Sequence, residues 1–359
     1  MYESESVPEA FLGYAALSEE SGKNLDLQPW KYKPQKWCED YVDIKIINTS
    51  ICGSCIHTLS NGWPSPTSYP AICGHEIVGR VVKAGTNTSH RIGDRVGIGA
   101  QSGSCGSCEL CKADLDQFCE KGMVLTYQGK WPDGTVAQGG FSNYIRVHGK
   151  FAIPIPKDMP SDIAAPLMCA GITTYSPIKK GAGPGKKVAV VGIGGLGHLG
   201  IQWSIALGSE TYALSRSESK KKDAVKMGLN PENYIVTSDR EATVKKWSSK
   251  FDLILCTSSE ANLPLEDLYF PLLRSQGKLT LVGLPEEKIP AISAHSLVIK
   301  EISFGGSFIG SPALIKEMLE VAVKHKVQAW TTTHPMSEVS QKVKDMRDGK
   351  ALYRYVMVN

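Results

Sequence analysis

The sequence predicts a two-domain α/β protein, in which a mostly β domain is joined to a doubly wound parallel sheet. Three observations predict it. The chain has 359 residues, more than one compact core usually holds. From residue 187 a strand, a glycine-rich loop and a helix follow one another in KVAVVGIGGLGHLGIQWSIALG. The first 150 residues instead offer short alternating runs cut by Gly and Pro.

The β domain comes first. YVDIKIINTS (41–50) and HEIVGRVVKAG (75–85) alternate in the β manner. Between them SICGSCIHTL places Cys52, Cys55 and His57 within six positions. That spacing fits a redox dithiol, a zinc knuckle or part of a larger metal site. More donors follow at His75 and Glu76, in CGHEIVG, and at Cys169, in PLMCAGITTYSP. Two thiolates and an imidazole, as Cys52, Cys169 and His75 would give, form a ligand set for catalytic zinc with an open fourth position. Only the fold can bring such distant residues together. Cys73, beside His75, reads as a small buried hydrophobe.

Four of the ten cysteines lie in CGSCELCKADLDQFC, at Cys105, Cys108, Cys111 and Cys119. Four thiolates on short spacers close every position of a tetrahedral zinc, so this site holds a loop and does not catalyse. An iron–sulfur cluster fits the segment less well.

The second domain begins at KVAVV, an apolar run of strand length. GIGGLG follows, then a helical stretch from Leu196 to Leu207, then the strand TYALS. In this context the loop is a dinucleotide site formed by Gly192, Gly194, Gly195, Leu196 and Gly197. Gly192 makes the turn, Gly194 admits the pyrophosphate, and Gly197 packs the helix on the strand. The helix N-terminus faces the phosphates. No acid ends the second strand, where an NAD site would hold the ribose hydroxyl. Ser215, Arg216 and Ser217 stand there, with Lys220 after them, so the cofactor read is NADP(H). The competing reading is a solvated helix start, and Glu218 lies within the basic stretch. Strand signals continue at YIV (234–236), DLILCT (252–257), KLTLVG (278–283) and ISFGGS (302–307), with helical stretches between. The last 50 residues mix helix and strand and complete the first domain.

Composition excludes other roles. A net charge of +4 with no basic block gives no nucleic-acid footprint. No apolar run reaches the ~18 residues that a membrane span needs. The opening MYESESVPEA is acidic and polar, unlike a signal or transit peptide, so the expected location is cytoplasmic. Thiols are kept reduced there, and clustered cysteines bind metal.

Taken together, these motifs resemble the zinc-dependent medium-chain alcohol dehydrogenases, in the cinnamyl alcohol dehydrogenase branch. The resemblance spans nearly the whole chain. It rests on CGS-x-IH (52–57), GHEIVG (74–79), the four-cysteine lobe, GGFSNYIRV (139–147), PLMCAGITTYSP, VVGIGGLGHLG and GGSFIGS (305–311). It implies a GroES-like catalytic domain over 1–157 and 306–359 and a Rossmann domain over 158–305. It implies two zinc ions per chain. One, catalytic, is held by Cys52, His75 and Cys169, with Glu76 as close support or alternate ligand. The other is structural, in the lobe. Thr173, Ser307 and Ile309 touch the cofactor, and a homodimer joins through the Rossmann domains. Cys55 stands where the family usually has Asp, whose expected partner is the zinc-bound histidine.

The implied chemistry is hydride transfer between NADPH and an aldehyde or alcohol, with zinc as Lewis acid. A proton relay runs from Ser54 through the nicotinamide ribose to His57. Trp63, Met123, Tyr127 and Phe308 line a pocket suited to medium or aromatic aldehydes, with reduction as the working direction. Two alternatives accompany this reading. One is iminium or enal reduction on the same fold, and the other is a non-enzymatic NADPH-binding protein that responds to zinc or redox state.

Overall fold

The computed structural model describes residues 6–359. Part of the polar opening segment, residues 1–5, lies outside the described residues. The chain divides into two compact units. One runs to Cys169 and takes in Gly310–Lys324 and Gln328–Asn359, and the other is Ala170–Ile309 with His325–Val327.

The first unit is built on a seven-stranded sheet. Its order is Thr331–Pro335, Arg354–Val358, Tyr41–Ser50, Ile77–Ala84, Arg95–Ile98 and Ile153–Pro154, and Tyr144–His148 also pairs with Tyr41–Ser50. All pairings are antiparallel except that of Thr331–Pro335 with Arg354–Val358. Alternation in YVDIKIINTS has the expected result. Val42, Ile44 and Ile46 enter one core with Ile77, Val81, Val96, Ile98, Ile145 and Val147. A second apolar cluster, including Phe11, Leu59, Ile72, Phe141 and Met357, surrounds Cys52, Cys55, Cys73 and Cys169.

Three strands bring functional residues to one edge of this sheet. Thr49 pairs with Ile77, and Ser50 with Val356. Cys52 lies two residues beyond Ser50, Glu76 one before Ile77, and Arg354 two before Val356. The Ser50 amide donates to the Glu76 carbonyl at 2.8 Å, and the Ile51 amide to Tyr355 at 3.0 Å, which locks the alignment.

The second unit carries a six-stranded, all-parallel sheet in the order Tyr234–Val236, Glu210–Ser215, Lys187–Val191, Phe251–Cys256, Leu273–Leu281, Ser303–Gly306. Numbered along the chain this is 3-2-1-4-5-6, the order of a dinucleotide-binding doubly wound sheet. The continuous apolar runs follow from burial of both faces. Val188, Ala189, Val190, Leu253, Ile254 and Leu255 are all buried.

Candidate active site

The Cys52, His75, Glu76 and Cys169 side chains converge. One donor atom from each lies within 4.8 Å of all the others, and all four residues are buried. Local structure explains each placement. Cys52 is the N-cap of the helix Gly53–Leu59. Cys169 sits in a π-turn, Leu167–Gly171, entered from a helix that ends in Pro166. Proline lacks the amide that an α-helix needs, and the widened turn re-aims the side chains after it. His75 and Glu76 precede the strand Ile77–Ala84.

The donor set fits a metal ion. His75 Nε2 is buried with no hydrogen-bond partner, and such an atom is costly unless something binds it. Cys52 is held well below the usual thiol range, first by Cys169 and then by His75. Cys169 is pushed well up by the same Cys52 contact and by burial. A cation at this position would favour the thiolate form of both sulfurs. Burial raises the Glu76 pKa, and Arg354 pulls it back. Arg354 is itself buried and ion-paired to Glu76. Burial opposes its charge, but Glu76, Cys52 and Cys169 outweigh that and raise its pKa. Sequence reading missed Arg354. Its one signal is an arginine in an otherwise apolar strand context, YRYVMV.

The Cys55 thiol stands where the family's usual Asp would support the zinc-bound histidine. It lies in the apolar cluster against the amides of Cys52 and Gly74, and burial pushes its pKa up to about 12. Among the described residues no hydrogen bond joins it to the His75 ring, which stacks on Tyr127 with centroids 5.1 Å apart. Cys55 is in the first turn of the helix capped by Cys52 and is fully buried. As a protonated thiol it is a poor competitor for metal.

Around this cluster, Ser54 Oγ is 3.7 Å from Cys52 Sγ. His57, on the same helix, packs against Trp63 with ring centroids 4.8 Å apart, and the Trp63 indole donates to Thr58 Oγ1 at 3.0 Å. Met123 is half-buried on the chain leading out of the cysteine lobe.

In that lobe the sulfurs of Cys105, Cys108, Cys111 and Cys119 also lie within 4.8 Å of one another. Backbone amides point at them. Cys108 and Ser107 donate to Cys105 Sγ at 3.4 and 3.5 Å, Cys111 to Cys108 Sγ at 3.5 Å, and Cys105 to Cys119 Sγ at 3.4 Å. Ser107 and Cys108 bring Cys105 down to about 5, while burial holds Cys111 up at about 12. The set fits one ion that takes four thiolates. A buried carboxylate braces the lobe. Asp116 accepts from Lys150 Nζ at 2.8 Å and from Ser104 Oγ at 2.9 Å.

In the second unit the loop after Lys187–Val191 has the form a dinucleotide requires. Gly192 has φ +82°, and a Cβ on Gly197 would lie 1.8 Å from the Gly192 carbonyl oxygen. A Cβ on Gly194 would meet nothing within 4 Å, so this flank is open. Gly195 and Leu196 are half-buried, and the helix Gly197–Ala206 has no side-chain cap; its His198 and Leu199 amides donate to the Gly194 and Leu196 carbonyls at 3.1 and 3.0 Å. Two residues unmarked in sequence shape the loop. His198 Nδ1 is 3.0 Å from the Gly194 carbonyl, and Thr257 Oγ1 donates to Val191 at 2.8 Å.

Ser215 ends its strand, and exposed Arg216 pairs with Glu260 at 2.7 Å. Ser217 and Ser219 hydroxyls are 2.9 Å apart, and Lys220 is half-buried. Thr173 is the second residue of the helix Ile172–Gly181. After the edge strand Ser303–Gly306, the Ser307 amide donates to Leu281 at 3.0 Å, Phe308 is exposed, and Ile309 is buried with φ +31°. A β-branched residue in that region is strained, as segments that meet a ligand often are.

Family models match two segments of the chain, the alcohol dehydrogenase GroES-like domain over residues 39–157 and the zinc-binding dehydrogenase domain over 195–324. The chain is 39% identical to NADP-dependent alcohol dehydrogenase 6 of Saccharomyces cerevisiae, with 98% of each chain covered. It is 39% identical to cinnamyl alcohol dehydrogenase 2 of Arabidopsis thaliana, over 96% of this chain and 90% of that protein. Among solved structures, a cinnamyl alcohol dehydrogenase from Sorghum bicolor superposes with TM-score 0.89 at 30% identity, covering 97% of each. The enzyme of that name from Helicobacter pylori, complexed with NADP(H), superposes with TM-score 0.87 at 33% identity, covering 97% of this chain and 98% of that one.

Proposed function

The chain belongs to the zinc-dependent medium-chain alcohol dehydrogenases, in their cinnamyl alcohol dehydrogenase-like branch, and from that premise we propose that it reduces medium or aromatic, cinnamyl-type aldehydes with NADPH. One observation carries this reading. It is the buried Cys52, His75, Glu76 and Cys169 donor set, with an unpartnered His75 Nε2 and the Ser54 hydroxyl beside it.

Cys52, His75 and Cys169 hold the catalytic zinc, and Glu76, tied to Arg354, is close support or alternate ligand. When bound, zinc supplies a Lewis acid for the substrate oxygen and NADPH supplies the hydride. The chain's residues do the rest. Ser54 holds the proton that the substrate oxygen gains or loses, and His57 exchanges it with water. Trp63, Met123, Tyr127 and Phe308 exclude water and select apolar substrates. Gly192, Gly194, Gly195, Leu196 and Gly197 cradle the pyrophosphate. Thr173, Ser307 and Ile309 touch the cofactor, and Ser215, Arg216, Ser217 and Lys220 read the 2′-phosphate. Cys105, Cys108, Cys111 and Cys119 hold the second zinc.

In the same reading residues 1–157 and 306–359 are the catalytic domain and 158–305 the nucleotide domain. A homodimer forms through the latter. Its support is the edge strand Ser303–Gly306, which has one neighbour in the sheet, and the exposed Val298 and Ile299 beside it. The expected compartment is the cytoplasm, where thiols stay reduced for metal. Among the described residues no helix is long and apolar enough to cross a membrane.

A second reading draws on Cys55. Without a carboxylate on the His75 ring the metal site has less outer support, and such partners are worth about 10- to 100-fold in affinity or activity. Reduction of an iminium or of an enal β-carbon needs less Lewis acidity. Steady-state turnover of cinnamaldehyde-type aldehydes, enals and cyclic iminium compounds with NADPH and NADH decides. Fastest NADPH-dependent carbonyl reduction supports the proposal. Turnover confined to iminium or enal substrates overturns it in favour of the second reading, and turnover of none overturns both.

A further inference from the structure

In the nucleotide unit, strand Lys187–Val191 lies between Glu210–Ser215 and Phe251–Cys256, and all three run parallel. Their carboxyl ends therefore open on one edge, where a doubly wound sheet takes its nucleotide. Arg216 is one residue past one flanking strand, and Glu260 is four residues past the other. Arg216 Nη1 and Glu260 Oε1 meet at 2.7 Å, so the ion pair reaches across the end of the central strand. It does so in the open, with Arg216 83% and Glu260 55% exposed.

We propose that Glu260 is a specificity-determining residue, an acidic clasp on Arg216 that the 2′-phosphate of NADPH must displace. The inference rests on the reading that Arg216 binds that phosphate. A guanidinium fork engages one oxyanion in bidentate fashion, so the Glu260 carboxylate and a phosphate compete for the same N–H groups. A phosphate seated on Arg216 also lies within reach of the Glu260 charge and is repelled by it. An unphosphorylated ribose meets the reverse situation. A carboxylate at this edge can accept its 2′-hydroxyl, the service that an acid at the end of the second strand performs in NAD sites. Here the acid arrives from the opposite loop. Glu260 therefore narrows the preference for NADPH that Arg216 creates.

The test uses the full-length, zinc-loaded enzyme and equilibrium binding of NADPH, NADH, adenosine 2′,5′-bisphosphate and adenosine 5′-monophosphate. Glu260→Gln is expected to tighten NADPH and the bisphosphate by about 2- to 5-fold, the range of an exposed ion pair. NADH and the monophosphate should bind equally or more weakly. The gain should shrink as salt is raised. Arg216→Ala is expected to weaken the phosphorylated ligands alone, by about 10- to 150-fold. In that background Glu260→Gln should recover less than in the wild type. Equal weakening of all four ligands by Arg216→Ala would overturn the reading of Arg216 itself. Selective weakening by Arg216→Ala, together with no tightening of NADPH by Glu260→Gln, would overturn the clasp and leave that reading standing.

Discussion

The two four-donor clusters of the first unit are alike in size and opposite in construction. The cysteine lobe takes its ligands from one 15-residue stretch, and its sulfurs receive backbone amides from the same stretch. The mixed cluster takes Cys52, His75, Glu76 and Cys169 from separate segments and sets a buried arginine behind them. Four local thiolates leave a metal no vacancy, so that site can only brace the fold. Two thiolates, an imidazole and a carboxylate tied to Arg354 can leave a position open. Locality thus goes with structure here, and long-range assembly goes with chemistry.

The largest expected effects separate the clusters. Cys169→Ser should lower aldehyde turnover by about 1,000-fold, the several kcal/mol that a Lewis acid provides, with a small change in melting temperature. Cys105→Ser should do the reverse. Comparable losses of turnover from both would erase the distinction.

Next in size is Arg354→Met. It strands the Glu76 carboxylate in the core, and breaking a buried pair from one side costs about 3–5 kcal/mol, readable by denaturant unfolding. A loss below about 1 kcal/mol would mean that Glu76 takes a proton, or a metal, in place of the arginine.

The sequence disclosed these regions unequally, for physical reasons. The lobe and the glycine loop were legible because their ligands and turns are local, and the loop's strand and helix stand on either side of it in KVAVVGIGGLGHLG. Cys52, His75 and Cys169 were legible as donors, but their convergence needed two strand ends and a π-turn to align. Arg354 gave only the weak signal of an arginine in an apolar strand, and Asp116 and Lys150 gave none, because an ion pair between remote residues has no spacing rule. For Cys55 the family pattern named the position and its usual Asp, and the contacts of the thiol that stands there, in the apolar cluster, had no sequence signal.

The smallest effect concerns the brace of the lobe. His148 Nδ1 accepts the Lys150 amide at 3.1 Å, and the same Lys150 holds Asp116. Burial lowers the His148 pKa, with Asp40 pulling the other way. The unfolded chain therefore binds the proton first as pH falls below about 6.5. Stability should decline from there until the folded histidine also titrates. Melting temperatures from pH 7.5 to 5 should show this decline, and His148→Gln should flatten it. An unchanged slope would remove His148 from the brace.

The most direct measurement is zinc content followed against NADPH-dependent aldehyde reduction while the purified enzyme is titrated with a chelator. The account predicts about two zinc ions per chain at the start, on the ligand logic of the two clusters. It predicts that activity vanishes with the first ion released, while the second stays until the protein unfolds. Full activity after loss of one ion, with the lobe's zinc still in place, would contradict a catalytic metal at Cys52, His75 and Cys169.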